Sequence, residues 1–200
     1  MFELVYPLDP APIIGEQTNP AGKRAGSAVS ECLPVVDTSG AVIARAWRRT
    51  CHDGASGHEK PLHPVVHLHI IDRYSRIYLQ KRSMEKDLCP GLWDTAVGGH
   101  VTYGEGLLES LFREAGEELG FRDFNPILLR TYVWESEVEK ELVNVFATIS
   151  SKTPKPDNSE VDEGRFWTTD EIDAALGKGI LTPQFEQEYA EIKKDLLALL

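Results

Sequence analysis

The chain has 200 residues, of which 42% are hydrophobic and 26% are charged, and its formal net charge is −11. The length is typical of about one domain, and the composition excludes a disordered, collagen-like or coiled-coil chain. The negative charge argues against binding to a nucleic-acid backbone, which needs a basic surface. Cys32, Cys51 and Cys89 form no CxxC pair, which favours reduced thiols over a disulfide framework or a structural zinc site.

The sequence predicts neither a membrane anchor nor a secretory signal. No apolar run approaches the roughly 18 residues that a membrane span requires. The first residues, MFELVYPLDPAP, lack a basic segment followed by an apolar core. We therefore expect a cytoplasmic protein that does not bind membranes.

Residues 1–30 are rich in proline and glycine and have no sustained hydrophobic period, which predicts an irregular N-terminal arm. Such an arm could reach a second subunit in a homodimer. We assign residues 31–200 to one domain. In residues 33–46, two apolar runs surround the turn DTSG, which predicts a β-hairpin. Residues 48–64 are polar and contain glycine, which predicts a loop.

Apolar or alternating segments predict strands over residues 65–72, 76–81, 92–97, 127–134, 141–150 and 165–167. Two helices are predicted near the end of the chain, one beginning at an N-cap at Thr169 or Asp170 and one after Pro183. Because strands occur both before and between helices, we expect an α/β fold with a mixed β-sheet.

Residues 105–119 have the period of an amphipathic helix that ends at Gly120. The expected buried face consists of Leu108, Leu111, Phe112, Ala115 and Leu119.

Three carboxylates are expected on the opposite, solvated face of this helix. Glu114, Glu117 and Glu118 have the spacing i, i+3, i+4 and therefore project to one side. A solvated polar face is the ordinary explanation, but like charges at these spacings repel one another. A divalent cation would offset the repulsion, since Mg²⁺ prefers carboxylates, water and phosphate oxygens. The cluster is thus a candidate metal site.

The segment GHVTYGEGLLESLFREAGEELGF, residues 99–121, resembles the Nudix box. In this motif a glycine, five residues, a glutamate and seven residues precede R-E-U-x-E-E-x-G-U, where U is a bulky apolar residue. Ala115 stands where Ile, Leu or Val is usual, and the other fixed positions match. The resemblance implies a Nudix-type α/β/α sandwich. It also implies a hydrolase that cleaves the diphosphate linkage of a small nucleoside-diphosphate-type substrate with Mg²⁺ or Mn²⁺.

The resemblance also implies roles for individual residues. Arg113 would orient a carboxylate, and Glu105 would support the geometry between the loop and the helix. The ion would be held by Glu114, Glu117, Glu118 and the Gly99 carbonyl. Four glutamates are compatible with the role of general base: Glu117, Glu118, Glu160 and Glu163. For the last two, a solvated loop edge is the alternative.

Beyond the box, LHPVVHLHII, IYLQKRS and KDLCPGLWDTAVGGH resemble the branch of the family that includes type I isopentenyl-diphosphate isomerase. This enzyme has a catalytic cysteine at the position of Gly98 and lacks a complete box. The sequence therefore favours a hydrolase on an isomerase-like scaffold. The alternatives are an isomerase that has relocated its acid and a non-catalytic domain that senses a nucleotide.

The isomerase resemblance further implies a second divalent-cation site. A mixed set of histidines and carboxylates suits Zn²⁺ or Mn²⁺. The matching residues are His63, His100, Glu139 and Glu141, with His52 as a fifth ligand and His58 as its competitor. The alternative is a solvated acidic strand edge formed by Glu135, Glu137, Glu139 and Glu141. His67 and His69 share a strand face, where buried and hydrogen-bonded histidines are more common than metal ligands.

Overall fold

A computed structural model describes residues 3–15, 31–52, 59–156 and 160–200 of the chain. These residues belong to two compact units. The first unit comprises residues 1–66, 100–110 and 131–144, and the second comprises residues 67–99, 111–130 and 145–200. Of the arm predicted over residues 1–30, residues 16–30 lie outside the described residues.

The described residues form strands and helices in α/β order. The strands are β1 (Ile13–Ile14), β2 (Cys32–Val36), β3 (Val42–Trp47), β4 (Leu62–Ile71), β5 (Ile77–Arg82), β6 (Trp93–Asp94), β7 (Val97–His100), β8 (Ile127–Glu135), β9 (Lys140–Ile149) and β10 (Val161–Trp167). The helices are α1 (Arg48–Cys51), α2 (Leu107–Leu119), α3 (Thr169–Ala175) and α4 (Pro183–Leu197).

The first unit contains a three-stranded mixed sheet in the order β1-β3-β2. Strand β1 is parallel to β3, and β2 is antiparallel to it with Leu33 opposite Ala46. The turn between β2 and β3 is held by the Asp37 carboxylate, which accepts hydrogen bonds from the backbone N–H groups of Ser39 and Ala41. The predicted hairpin is therefore confirmed.

The described start of the N-terminal arm packs on the first unit. The Tyr6 hydroxyl donates to the Glu105 carbonyl at 2.9 Å and accepts from the Gly104 N–H at 3.1 Å. Tyr6 also forms an edge-to-face pair with Tyr103, and Ala11 is buried. Residues 3–15 are thus tied to the loop that precedes α2.

The second sheet has the strand order β10-β5-β4-β9-β8, with β6 paired to β5 and β7 paired to β4. Strands β4, β6 and β10 are all antiparallel to β5. All ten residues of β4 are buried, including its three histidines. Trp93 and Trp167 are also buried, as expected of core residues. The predicted α/β fold with mixed β-sheet is confirmed.

Element boundaries differ from the prediction where polar residues occupy regular structure. The loop predicted over residues 48–64 is wrong at both ends, since α1 covers Arg48–Cys51 and β4 begins at Leu62. Strand β10 begins at Val161 because its backbone pairs with β5 although most of its side chains are partly or fully exposed. Helix α3 begins after Thr168, whose side chain and that of Glu171 form a capping box.

Helix α2 has a different buried face from the predicted one. Leu108 is 39% exposed, whereas Leu107 is buried. The buried apolar positions recur every four residues, at Leu107, Leu111, Ala115 and Leu119. This shift of the buried face toward position 107 also brings Glu118 inside, so the prediction that all three carboxylates lie on a solvated face is wrong.

Candidate functional site

Glu118 is the most enclosed of the box carboxylates in the second unit, with 5% of its surface exposed. Its Oε2 atom accepts a hydrogen bond from Gln80 Nε2 at 3.1 Å and one from the Gly98 backbone N–H at 3.3 Å. Burial and, after it, the charge of Glu114 raise the pKa of Glu118 to about 8. The metal-free carboxyl is therefore mostly protonated at neutral pH.

Arg113 lies between the other two carboxylates of the box. Its Nη1 atom is 2.7 Å from Glu114 Oε1 and 3.3 Å from Glu117 Oε2. The guanidinium therefore offsets the repulsion that the i, i+3 spacing creates. Glu117 is the exposed member of the cluster, since 59% of its side chain is accessible to solvent.

Gly99 allows Glu114 to lie directly against the backbone of β7. A Cβ atom added at Gly99 would be 2.1 Å from Glu114 Cδ and 2.6 Å from its Oε1. Only glycine leaves room for this carboxylate. At Gly98, by contrast, an added Cβ would meet no atom closer than 3.6 Å, the nearest being on the ring of His67.

The box residues fit a hard divalent cation. The carboxylate oxygens of Glu114, Glu117 and Glu118 do not all lie within 4.8 Å of one another. Among the described residues, a different group of side chains, described below, has its potential ligand atoms that close together. Mg²⁺ does not need such a set, because it is held by one or two carboxylates and completes its shell with water and substrate phosphates. The oxygen-only donors of the box match this preference.

Glu105 connects the loop to the start of α2 in the first unit. Its carboxylate accepts a hydrogen bond from Ser110 Oγ at 2.7 Å, and its backbone carbonyl accepts one from Tyr6. These contacts are those expected of a residue that supports the loop–helix geometry.

A second group of potential ligands converges within the first unit. One atom from each of His52, His63, His100 and Glu139 lies within 4.8 Å of the corresponding atoms of the others. The Nε2 atoms of His52 and His100 are 3.0 Å apart, and His52 Nδ1 is 3.2 Å from Glu139 Oε2. His52 follows α1, His63 lies on β4, His100 ends β7 and Glu139 precedes β9. Four separate parts of the chain thus supply this group.

His63 has the properties of a neutral metal ligand. It is fully buried, its Nδ1 is 3.1 Å from the Pro61 carbonyl, and its Nε2 has no hydrogen-bond partner among the described residues. Burial lowers the pKa of His63 to about 4, so the ring is neutral at pH 7. With its proton on Nδ1 and directed at the carbonyl, the ring offers the lone pair of Nε2 to an ion. The group fits Zn²⁺ or Mn²⁺.

Two further residues, Glu141 and His58, were predicted as ligands or competitors for this site. Glu141 is buried but does not belong to the converging group, and His58 lies outside the described residues. The alternative of a solvated acidic edge is wrong for Glu139 and Glu141, which are 9% and 6% exposed. It applies to Glu135, half of whose side chain is exposed and whose carboxylate contacts lysine side chains. Cys51, next to His52, stays a thiol because burial raises its pKa to about 12.

His67 and His69 belong to a buried network in the second unit rather than to the converging group. His67 Nδ1 is 2.9 Å from one oxygen of Glu188, and His69 Nε2 is 2.6 Å from the other. Glu188 was not among the candidates predicted from the sequence. The signal that could have identified it is a carboxylate on α4 close to the buried residues Phe185, Tyr189 and Ile192.

The candidates for general base differ in exposure. Glu160 and Glu163 are exposed, and Glu160 pairs with Lys86 Nζ at 2.7 Å. The charges of both Lys86 and Glu160 act on the ionisation of Glu118, which places them in the electrostatic surroundings of the box. These contacts do not select one base from the four glutamates. Cys32, Cys51 and Cys89 all lie in the described part of the chain, and none of them forms a disulfide there. No helix among the described residues is long and apolar enough to cross a membrane.

Comparison with known proteins agrees with the arrangement of a carboxylate-bearing helix after a glycine-rich strand. The family model described as NUDIX domain matches residues 61–189. The chain belongs to the NUDIX family.

Its relatives carry two kinds of name. An isopentenyl-diphosphate Delta-isomerase of Streptomyces griseus is 30% identical over 156 residues, which cover 74% of this chain and 76% of that protein. An uncharacterized Nudix hydrolase of Yersinia pestis is 28% identical over 176 residues, which cover 83% of this chain and 94% of that protein. The expected resemblance to both the hydrolases and the isomerase branch is confirmed.

Solved structures share the fold. DR0079 from Deinococcus radiodurans aligns with a TM-score of 0.61 and 22% identity, covering 76% of this chain and 92% of that one. The NUDIX domain of Shewanella oneidensis NrtR, complexed with ADP ribose, aligns with a TM-score of 0.57 and 15% identity, covering 71% and 92%. At these identities the likeness establishes the Nudix fold.

Proposed function

We propose that the protein is a divalent-metal-dependent hydrolase that cleaves the diphosphate linkage of a small nucleoside-diphosphate-type or other organic diphosphate. The observation that carries the proposal is the pair Glu114 and Glu118. One carboxylate packs on Gly99, and the other is buried and held by two hydrogen-bond donors. Mg²⁺ or Mn²⁺ at these groups would offset the charge of the diphosphate and lower the pKa of a bound water.

The protein's own residues would prepare this chemistry in three ways. Burial raises the pKa of the metal-free Glu118 carboxyl to about 8, so a divalent cation bound there would favour the ionised form that can act as a ligand. Arg113 holds Glu114 and Glu117 in place through its guanidinium. Glu105, through Ser110, sets the geometry at the start of α2.

The converging group is a candidate for a second ion, Zn²⁺ or Mn²⁺. Its ligands would be His52, His63, His100 and Glu139, and Glu141 is the remaining candidate from the sequence. The buried Nε2 of His63, which has no hydrogen-bond partner in the part of the chain that the structure describes, supports this proposal most directly.

Isomerisation of isopentenyl diphosphate is the second candidate function. The convergence of the histidines with Glu139 favours it, because the isomerase resemblance implies such a site, and several relatives bear the isomerase name. Gly98 opposes it, since glycine has no side chain that could transfer a proton at the position of the isomerase cysteine. The complete carboxylate box favours hydrolysis.

One assay separates the two reactions. The purified protein is incubated with nucleoside-diphosphate derivatives and with isopentenyl diphosphate, in Mg²⁺, in Mn²⁺ and in excess chelator, and phosphate-containing products and isomerised product are measured together. We expect metal-dependent hydrolysis and no dimethylallyl diphosphate. Isomerised product at an enzymatic rate, or hydrolysis that is unaffected by chelator, would contradict the proposal.

A further inference from the structure

A buried glutamine on β5 is not explained by the box motif. Gln80 is 3% exposed and ends a run of four buried residues at positions 77–80. It lies opposite Gly164 on β10 and Asp94 on β6, so its backbone position is fixed by paired strands. A long polar side chain is rarely buried to this extent unless its polar atoms have partners.

Only one end of the Gln80 amide has a partner among the described residues. Nε2 donates to Glu118 Oε2 at 3.1 Å, whereas Oε1 is buried and no described residue donates a hydrogen bond to it. Because the amide nitrogen is directed at the Glu118 carboxylate, the amide oxygen is available to accept a hydrogen bond from a donor close to that carboxylate. A buried acceptor without a donor loses the hydrogen bond that water supplies in the unfolded chain.

Glu118 is held by a second donor on the same oxygen. The Gly98 backbone N–H, on β7, donates to Glu118 Oε2 at 3.3 Å. Side-chain and backbone groups from two strands therefore orient one carboxylate of the box. Groups that orient a metal ligand tune the affinity for the metal, and their removal usually weakens binding about 10–100-fold.

We propose that Gln80 is a positioning residue of the box metal site, in which its amide nitrogen orients Glu118 and its amide oxygen accepts a hydrogen bond from a water of the ion's hydration shell. This inference rests on the proposed function, because it requires a divalent ion at the box carboxylates. Mg²⁺ keeps several waters when it is held by one or two carboxylates. Such a water is a strong donor, since the cation polarises it.

The test is the affinity of the metal-free protein for Mn²⁺, measured by calorimetry and electron paramagnetic resonance. The binding event that Glu118→Gln removes identifies the box site. Gln80→Met keeps the length of the side chain and removes both polar ends. Gln80→Asn keeps the amide but shortens the side chain by one methylene, and it provides a second variant if the first does not fold. The matched control is Tyr78→Phe. Tyr78 lies on the same strand as Gln80, and the substitution removes its buried hydrogen bond to the Pro154 carbonyl.

We expect both Gln80 variants to weaken the Glu118-dependent binding of Mn²⁺ by about 10–100-fold and to lower kcat. Tyr78→Phe should leave the dissociation constant within about twofold of the wild type. Equal weakening in Tyr78→Phe would assign the effect to general loss of packing and overturn the inference. Wild-type affinity in the Gln80 variants would also overturn it, while leaving the proposed hydrolase intact. The absence of any Glu118-dependent binding in the wild type would contradict both.

Discussion

The Nε2 atoms of His52 and His100 lie 3.0 Å apart, although the two residues are 48 positions apart in the chain. Two imidazole nitrogens bound to one tetrahedral Zn²⁺, at about 2.0–2.1 Å each, are separated by about 3.3 Å. The observed spacing is close to this value. We therefore expect one equivalent of Zn²⁺ or Mn²⁺ to bind to the converging group and to raise the midpoint of thermal unfolding, because the four side chains converge only in the folded chain.

The first prediction is checked by metal analysis of protein purified without chelator and by anomalous scattering at the zinc and manganese edges. A double substitution, His63→Gln with His100→Gln, should abolish this equivalent of metal. His58→Gln is the comparison variant, since His58 competes with His52 in the sequence, and it should retain the metal. Full occupancy in the double variant would show that these side chains are not the ligands.

The second prediction concerns Glu118→Gln. Hydrolysis should fall by about a hundredfold or more, because this carboxylate is a candidate ligand and a candidate base. The fold should persist, because the metal-free carboxyl is largely protonated at neutral pH and neutral glutamine is close to it in shape and charge. Steady-state rates and thermal unfolding without metal measure the two effects. Glu109→Gln, at an exposed position on the same helix, should leave the hydrolysis rate and the thermal stability unchanged. Wild-type hydrolysis by Glu118→Gln would refute the role of Glu118 as ligand or base.

The third prediction uses two adjacent glycines as test and control. Gly99→Ala should reduce metal affinity and activity, since the new Cβ would overlap the carboxylate end of Glu114 and displace it. Stability should change little, because the displaced group is the end of a flexible side chain. Gly98→Ala meets only ordinary contacts with His67 and Thr95 and should keep most of the activity. If Gly99→Ala and Gly98→Ala had equal activity, Glu114 would not be a ligand of the metal site.

Local sequence patterns predicted the fold and the carboxylate cluster, and tertiary contacts decided the rest. Periodicity predicts most of the strands, though not β1, and a helix over residues 105–119, which the structure forms over Leu107–Leu119. The left-handed preference of glycine predicts the end of this helix at Gly120. The hydrogen bonds that hold the Glu118 carboxylate do not follow from periodicity, because their donors, Gln80 and Gly98, are distant in sequence. Periodicity places three carboxylates on one helix, but it does not distinguish a solvated position from one that is hydrogen-bonded inside.

The converging group could not be predicted from local sequence patterns. Neither His63 nor Glu139 is recognisable as a ligand from its own neighbourhood, and only the resemblance to the isomerase branch grouped them. The same resemblance included Glu141, which the structure leaves outside the group. Glu188 has no such precedent, and its role follows only from its contacts with His67 and His69.

The fourth prediction concerns the pH dependence of stability and Glu188. Burial alone would raise the pKa of Glu188, but the charge of His67 and the hydrogen bonds of His67 and His69 outweigh it and hold the pKa below its ordinary value. A carboxylate with a depressed pKa stabilises the fold above its unfolded pKa, about 4.3. That stabilisation is lost as the pH falls through the lower, folded pKa.

Glu188→Gln should therefore lower the free energy of unfolding at pH 7 by roughly 1–3 kcal/mol, the usual cost of leaving a buried hydrogen-bonding group without its partner, because the glutamine amide can accept at only one of the two positions that contact His67 and His69. The difference between wild type and variant should shrink as the pH is lowered from about 5 toward 2, because Glu188 takes up a proton more readily in the unfolded chain than in the folded one. Urea unfolding of both proteins across this pH range measures the difference in the free energy of unfolding. Glu191→Gln, a partly exposed position on the same helix that pairs with Arg130, should change stability by less than about 1 kcal/mol at every pH. A difference that stays constant between pH 7 and pH 2 would show that the charge of Glu188 is not the source of the stabilisation.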